Sequence, residues 1–253
     1  MIGFQRIQRL ISKVASLFVM VLILSSCNKE NAPDCFQSAG AYKTEERSLD
    51  VFSTVELNDS IQYELCDTNY SGVVITSPGN LIPDIETDVN DGKLIVHNRN
   101  TCNFVRSFKK KITIRICSPT LLHVLNFSTG DIRTVNPIHV SSFLWENRQA
   151  AGIHQLELDA DTVDIKIHTG VCDVIVTGKA DEVYLFNQGL GILDARALNA
   201  SKAFVNNSSI NNVYANADYY LFNFIRSSGS VYYSGSPEII DSEIQGQGRL
   251  IPM

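Results

Sequence analysis

The sequence predicts an all-β chain, a parallel β-solenoid (β-helix-like) with coils of about 19–20 residues, preceded by an irregular β region that joins the same stack. Three observations point there. Turn segments recur through the second half with middle positions 130, 152, 172, 191, 211, 229 and 248, spaced 22, 20, 19, 20, 18 and 19 residues apart. The composition, 44% hydrophobic and 19% charged over 253 residues with many Val, Ile, Asn and Tyr, suits a globular chain of half-buried pleated surfaces. Long amphipathic helical patterns are absent, and residues 81–85 have room for one helical turn at most.

In chain order, residues 1–26 carry Arg6, Arg9 and Lys13, then an apolar run over 14–24, then Leu24-Ser25-Ser26 directly before Cys27. A basic segment, an apolar stretch and small residues before a cleavage point make a secretory signal, too short for a membrane span of ~20 residues. A Cys in that position resembles the lipobox of bacterial lipoproteins, in which the thiol is diacylated and the chain is cut before it. Cys27 is therefore the expected lipidation site, and its acyl chains, at roughly 0.8 kcal/mol per buried CH₂, would anchor a peripheral body to a membrane. Residues 27–39 read as a polar tether. Without residues 1–26 the chain keeps 18 bases and 27 acids, a net charge of −9, so nothing gathers phosphates and nucleic acid is excluded as a partner.

Residues 40–127 read as the irregular N-terminal β region. Runs at 53–57, 61–66, 72–76, 93–97 and 111–117 have strand character. Asn90-Asp91-Gly92 predicts a tight hairpin turn between 85–89 and 94–96, because Asp-Gly supplies the positive φ angles. Pro78-Gly79-Asn80 predicts a second turn. Once Cys27 carries lipid, Cys35, Cys66, Cys102, Cys117 and Cys172 remain, an odd number in a compartment that permits disulfides. The disulfide candidate is Cys35 with Cys102, which would staple the tether to the body with a model stabilisation of ~4 kcal/mol. Cys66 and Cys117 lie in apolar runs and are expected to be buried small hydrophobes.

Residues 128–253 carry the repeat. Each turn, such as Ser128-Thr129-Gly130, Gly189-Leu190-Gly191 or Ser227-Ser228-Gly229, has a strand entering and a strand leaving, the grammar of stacked coils. Gly or Asn at the middle position is expected because a repeated sharp bend needs φ above zero. Cys172 is the exception, and both Cys172 and Asn211 stand where the other midpoints have Gly, an expected disturbance of their coils. The asparagines 206, 207, 211, 212 and 216 suggest amide ladders between coils, with plain polar loop as the alternative.

Catalytic chemistry has little support. G-x-S-x-G, H-E-x-x-H and phosphate-cradling motifs are absent, and no cofactor or metal is expected. An enzyme on this scaffold would need carboxylates converging within roughly 5 to 9.5 Å. The candidates are Asp159, Asp161, Asp164, Asp173, Asp181 and Asp194, read instead as solvated acidic turns. His154 and His168 fall on adjacent coils without metal-ligand spacing. Aromatics are more suggestive: Tyr184, Phe204 and Phe222 recur 20 and 18 residues apart, and Tyr214 and Tyr232 recur at 18. Such rings can line an outer face as a platform for sugar rings or a partner protein, or turn inward as a core ladder, the reading taken for Phe204 and Phe222. Tyr214 and Tyr232 follow Val213 and Val231, so alternation puts them outside if the valines are core, and they are the binding candidates.

On these residues the chain resembles the head GIN domain family, a group of adhesin-type lipoproteins from Bacteroidetes-type bacteria. The resemblance spans roughly residues 52–253. It rests on Val55-Glu56-Leu57, Asn80-Leu81-Ile82-Pro83, the G-x-G-type turns and the ending Val231-Tyr232-Tyr233-Ser234-Gly235-Ser236-Pro237 through Gly246-Gln247-Gly248. Near members carry a Cys like Cys35 and an Asn-Arg-Asn-x-Cys-Asn segment like residues 98–103, in keeping with the staple. The resemblance implies a β-solenoid at the cell envelope or outer membrane and transfers no catalytic residue. The expected function is a lipid-anchored, non-catalytic, adhesin-like binding or structural module whose partner is a glycan or an extracellular protein. Alternatives are a polysaccharide-degrading enzyme and a periplasm-facing sensor or scaffold.

Overall fold

The computed structural model describes residues 38–101 and 111–253, so the expectations for Cys27, Cys35 and Cys102 fall outside the described residues. The N-terminal part contains β1 (Tyr42–Ser48), β2 (Thr54–Leu57), β3 (Gln62–Asp67), β4 (Gly72–Pro78), β5 (Ile85–Asn90), β6 (Lys93–Asn98), β7 (Thr113–Ser118), β8 (His123–Asn126) and β9 (Ile132–Thr134). The repeat contains β10 (Ile138–Asn147), β11 (Ala150–Ile167), β12 (Gly170–Asn187), β13 (Leu193–Asn207), β14 (Val213–Asn216), β15 (Tyr220–Ile225), β16 (Val231–Ser234), β17 (Ile239–Ile244) and β18 (Leu250–Pro252). All belong to one 18-stranded sheet wound as a parallel β-solenoid, and the irregular region shares it, as the sequence predicted.

The register reproduces the sequence period coil by coil. Ile132 pairs with His154, Gly152 with Cys172, Val174 with Leu193, Leu193 with Val213, Val213 with Val231 and Val231 with Leu250. Each step equals the spacing of the corresponding turn midpoints. One wall of the stack runs β6, β2, β8, the later halves of β10 to β13, then β15 and β17. The other runs β7, β3, β9, the early halves of β11 to β13, then β14, β16 and β18. β11 and β12 turn the corner between walls without a break: the buried parity of Leu156, Leu158 and Ala160 slips by one to Val163, Ile165 and Ile167. Ala160, Ala180 and Ala200 align at this corner, where a small side chain lets the walls converge.

The N-terminal end is wound differently. β2 lies between β6 and β8, and β3 between β7 and β9, so pairs here join distant segments. Antiparallel strands close this end: β5 pairs with β6, and β4 pairs with both β1 and β7. The β5–β6 turn is the predicted one, with φ of 50° at Asp91 and 73° at Gly92. The expected helical turn is a 3₁₀ turn at Ile82–Asp84. Phe52, Tyr63, Phe143 and Trp145 fill the core beneath these strands, and the Tyr63 hydroxyl donates to the Asn58 carbonyl at 2.8 Å.

Four expectations are corrected. Cys66 and Cys117 are buried but not free: they face each other across β3 and β7, Cα atoms 4.7 Å apart, and form a disulfide, whereas Cys172 is a free buried thiol. The turn glycines answer mainly to close approach: a Cβ on Gly130 would lie 1.9 Å from the Ile61 carbonyl oxygen, and on Gly191 1.7 Å from that of Cys172. Among the midpoints only Gly152 has a positive φ, 98°. Cys172 and Asn211 leave their coils in register, Cys172 by turning its side chain into the core. The asparagines mostly bind backbone instead of each other: Asn207 Nδ2 donates to the Asn211 carbonyl at 3.0 Å and Asn211 Nδ2 to that of Leu190 at 2.6 Å. The inward row Asn126, Asn147, Asn187 and Asn207 instead sits fully buried at the strand ends and closes the turns, with one amide-to-amide step, Asn126 to Asn147 at 2.8 Å.

Candidate functional site

Alternation along β12, β13 and β15 decides which aromatics reach solvent. Leu185, Asn187, Ala203, Val205, Asn207, Leu221, Asn223 and Ile225 are buried, so the residues between them point out. Phe204 and Phe222 therefore lie on the outside, which overturns the inward core ladder. The reason is that buried asparagines occupy inward positions, so the largest hydrophobe in each strand is not the core residue.

Two outward rows result. The register places Asp164, Tyr184, Phe204, Phe222 and Asp241 side by side on successive strands, and likewise Lys166, Phe186, Asn206, Phe224 and Glu243. Between the rows runs a shallow furrow of about 260 Å³, floored by Leu185 and Val205 and mostly apolar in its exposed lining. The sequence period picked out Tyr184, Phe204 and Phe222 but missed Phe186 and Phe224. The signal available was an aromatic at every second residue, Tyr184-x-Phe186 and Phe222-x-Phe224, in coils two apart.

The rings stand on edge. Tyr184 and Phe204 stack face to face, centroids 4.8 Å apart and 8° between planes, and Tyr220 tilts against Phe204 at 5.6 Å. The Arg226 guanidinium covers the Phe224 ring at 4.1 Å. Polar groups pin the rows: the Tyr184 hydroxyl donates to Glu182 at 3.0 Å, and Lys202 donates to the same carboxylate at 2.8 Å. These bonds raise the Tyr184 phenol above its usual range and hold the Glu182 carboxyl below its own. At the far end Tyr220 donates to Asp241 at 2.8 Å. Asp164 is matched by Lys166 at 2.6 Å, whereas Asp241 and Glu243 have no cationic partner among the described residues.

Tyr214 and Tyr232 lie on the other wall and point out, with Val213 and Val231 fully buried beneath them. They too stack, at 5.1 Å and 21°, and the Arg196 guanidinium lies 3.9 Å over the Tyr214 ring. Tyr214 thus has both faces occupied and offers its edge and hydroxyl. A separate apolar row follows the turns, where Val171, Leu190 and Ile210 are about 60% exposed.

The remaining candidates disperse. Asp159, Asp164 and Asp194 are paired with Lys179, Lys166 and Arg196, Asp173 accepts the Ile192 amide at 2.8 Å, and Asp161 and Asp181 are exposed at the corner. His154 is fully buried against Trp145 and the amides of Asn126 and Asn147. Burial lowers its imidazole to about 4, against the raising effect of the Ala151 carbonyl. His168 is apart from it, 3.0 Å from Glu146, which His123 also contacts at 3.0 Å. Burial pushes the Glu146 carboxyl up, but hydrogen bonds from His168, His123 and Arg148 outweigh it and hold it low. Among the described residues no group of three or more His, Cys, Asp or Glu could hold a metal, and no helix is long and apolar enough to cross a membrane. A separate groove of about 480 Å³ surrounds Glu64, which Arg115 and Arg133 clamp from either side.

Residues 51–237 match the family model described as "Putative auto-transporter adhesin, head GIN domain". A solved structure of a putative adhesin from Bacteroides fragilis shares 22% identity at a TM-score of 0.77, covering 84% of this chain and 97% of that one. A putative adhesin from Parabacteroides distasonis shares 15% identity at 0.65, covering 85% and 98%. A putative lipid binding protein from Parabacteroides distasonis shares 18% at 0.59, covering 85% and 97%. No curated protein matches the chain. At these identities the likeness is one of fold.

Proposed function

Since the chain belongs to the putative auto-transporter adhesin family defined by the head GIN domain, we propose that it is a lipid-anchored, non-catalytic cell-envelope protein that binds a glycan or an extracellular protein. The observation that carries this reading is the pair of outward aromatic rows on a stack with consecutive backbone register. Rings held by neighbouring strands lose little freedom when a partner arrives, so they suit contact. Tyr214 and Tyr232 supply a second contact edge on the other wall. Lipid on Cys27 would hold the body at the membrane, most simply the outer membrane, and a Cys35–Cys102 disulfide would staple the tether to it. The scattered, paired carboxylates favour binding over hydrolysis.

The test is a binding screen of the fragment 34–253 against glycans and matrix proteins, with mass spectrometry of the same wells for cleavage products. Phospholipid vesicles are included because of the apolar turn row and the lipid-binding name of one similar structure. Saturable binding without products is the expected result. Products would replace the binding reading with an enzymatic one. Palmitate labelling in cells, lost in Cys27→Ser, checks the anchor.

A further inference from the structure

We propose that the furrow between the two aromatic rows receives a proline-rich segment of an external protein in polyproline II conformation, with a basic residue seated at the Asp241–Glu243 end. This rests on the binding reading above and names the ligand class.

Three features of the furrow select this occupant. The first is its hydrogen-bonding poverty. Its exposed lining is mostly apolar; Asp164 and Lys166 pair with each other at one end, and the side-chain amide in its wall is that of Asn206, whose Oδ1 accepts from Ser208 at 3.2 Å while Nδ2 has no partner among the described residues. A ligand burying many donors there would leave them unsatisfied, at about 1–3 kcal/mol each. Proline brings no N–H, and a polyproline II backbone has no internal hydrogen bonds, so one of its carbonyls is free to accept from Asn206. A glycan carries a hydroxyl on nearly every carbon.

The second feature is the attitude of the rings. Sugar recognition by stacking needs a free ring face, but Tyr184 and Phe204 cover each other at 4.8 Å and Arg226 covers Phe224 at 4.1 Å. One face of Tyr184, Phe204 and Phe224 is thus already taken, and the furrow between the two rows is a channel for puckered pyrrolidine rings. The furrow is lined from Lys166 on β11 to Phe224 on β15, three strand spacings or about 14 Å, and the register puts Glu243 on β17 one spacing beyond it, so the rows together span about 19 Å, the length of about six residues at 3.1 Å each.

The third is charge. Asp164 is neutralised by Lys166 at one end, whereas Asp241 and Glu243 lack a cationic partner at the other. A Lys or Arg following the prolines meets those carboxylates and sets the direction of the bound segment.

The experiment is fluorescence anisotropy of the full chain with a fluorescein-labelled peptide of six prolines followed by two arginines, beside a glycine–serine peptide with the same arginines and labelled cellohexaose. Saturable binding of the proline peptide alone is expected. Phe222→Ser should weaken it by about tenfold or more at unchanged melting temperature. Asp241→Lys should weaken it and reduce its salt dependence, and Tyr70→Ser, at an exposed tyrosine of the N-terminal region outside both rows, should leave it unchanged. A further variant, Asn206→Leu, keeps the walls and removes the donor, and should also weaken binding. No binding of the proline peptide, equal binding of the glycine–serine peptide, or binding indifferent to Phe222→Ser would overturn the proposal. If cellohexaose binds instead and Phe222→Ser abolishes it, the proline assignment falls while the binding function stands. If the screen above yields no ligand and the proline peptide does not bind, both fall.

Discussion

The same outward rows of the stack are filled in two different ways along its length. In the N-terminal region, cross-strand neighbours are ion pairs: Lys93 with Glu56 and the arginines 115 and 133 with Glu64. In the repeat such pairs persist, Lys179 with Asp159 and Lys202 with Glu182, but stacked rings join them, Tyr184 on Phe204 and Tyr214 on Tyr232. The backbones differ in parallel. The N-terminal region joins segments far apart in sequence, closes its end with antiparallel strands and carries a disulfide spanning 51 residues, whereas each later coil pairs with the coil before it. Solvated charge pairs contribute little each, and in that half the core, the disulfide and the antiparallel closure carry stability. Where the stack is regular, the outward rows carry apolar groups, and this is the surface proposed above for a partner.

This contrast breaks most sharply at the turns. Gly191→Ala places a Cβ against the Cys172 carbonyl oxygen, with coils packed on both sides, and should cost about 5 kcal/mol or abolish folding. Gly92→Ala, in a hairpin turn with nothing within 4 Å of the new carbon, should cost only about 1 kcal/mol for its positive φ. Urea denaturation of the two variants compares them directly. Comparable losses would remove close approach as the reason for the turn glycines.

Next in size is the disulfide. Cys66→Ala with Cys117→Ala should lower stability by about 4 kcal/mol under oxidising conditions, the chain-entropy value for its loop, and by little in reductant. A thiol count on the unfolded wild type checks the bond itself.

The third prediction concerns pH. His154 titrates at about 4 when folded and near 6.5 when unfolded, so as pH falls through 6.5 the unfolded chain gains a proton that the folded chain refuses until about 4. Its contribution is present above 6.5 and is lost across that window, about 3 kcal/mol in all. The low carboxyls of Glu56, Glu64 and Glu146 act in the same direction but only as pH enters the carboxylate range. His154→Gln should therefore flatten the stability curve between pH 6.5 and 5 in chemical denaturation. An unchanged slope would place the protonation elsewhere.

The smallest expected effect is on the rows themselves. Phe204→Leu should cost about 1 kcal/mol through the lost stack with Tyr184, since the ring lies outside the core. A loss near 4 kcal/mol in thermal denaturation would mean that it packs inside.

Much of the architecture was legible because a solenoid writes its register into its period. The midpoint spacings equal the pairing offsets at all six steps, Asp91-Gly92 marked its hairpin, and Val213 and Val231 oriented the tyrosines. The failures share a cause, which is that non-local pairing and buried polar residues carry no local signal. Phe204 was misplaced because Asn207 and Asn223 occupy inward positions, where hydrophobicity patterns look for Leu or Val. Cys66 and Cys117 became partners only through the pairing of β3 with β7, which skips three strands. The furrow needed both rows, and the period exposed one.

The most direct test of the outward aromatic rows uses the chain's single tryptophan, Trp145, which is fully buried, as an internal control. Phe222→Trp adds a second indole to the furrow, and iodide quenching then reads the two environments. The account predicts a red-shifted component that iodide quenches, beside a blue component from Trp145 that it does not. Two blue, unquenched indoles would put Phe222 in the core and remove the surface on which the proposed binding function rests.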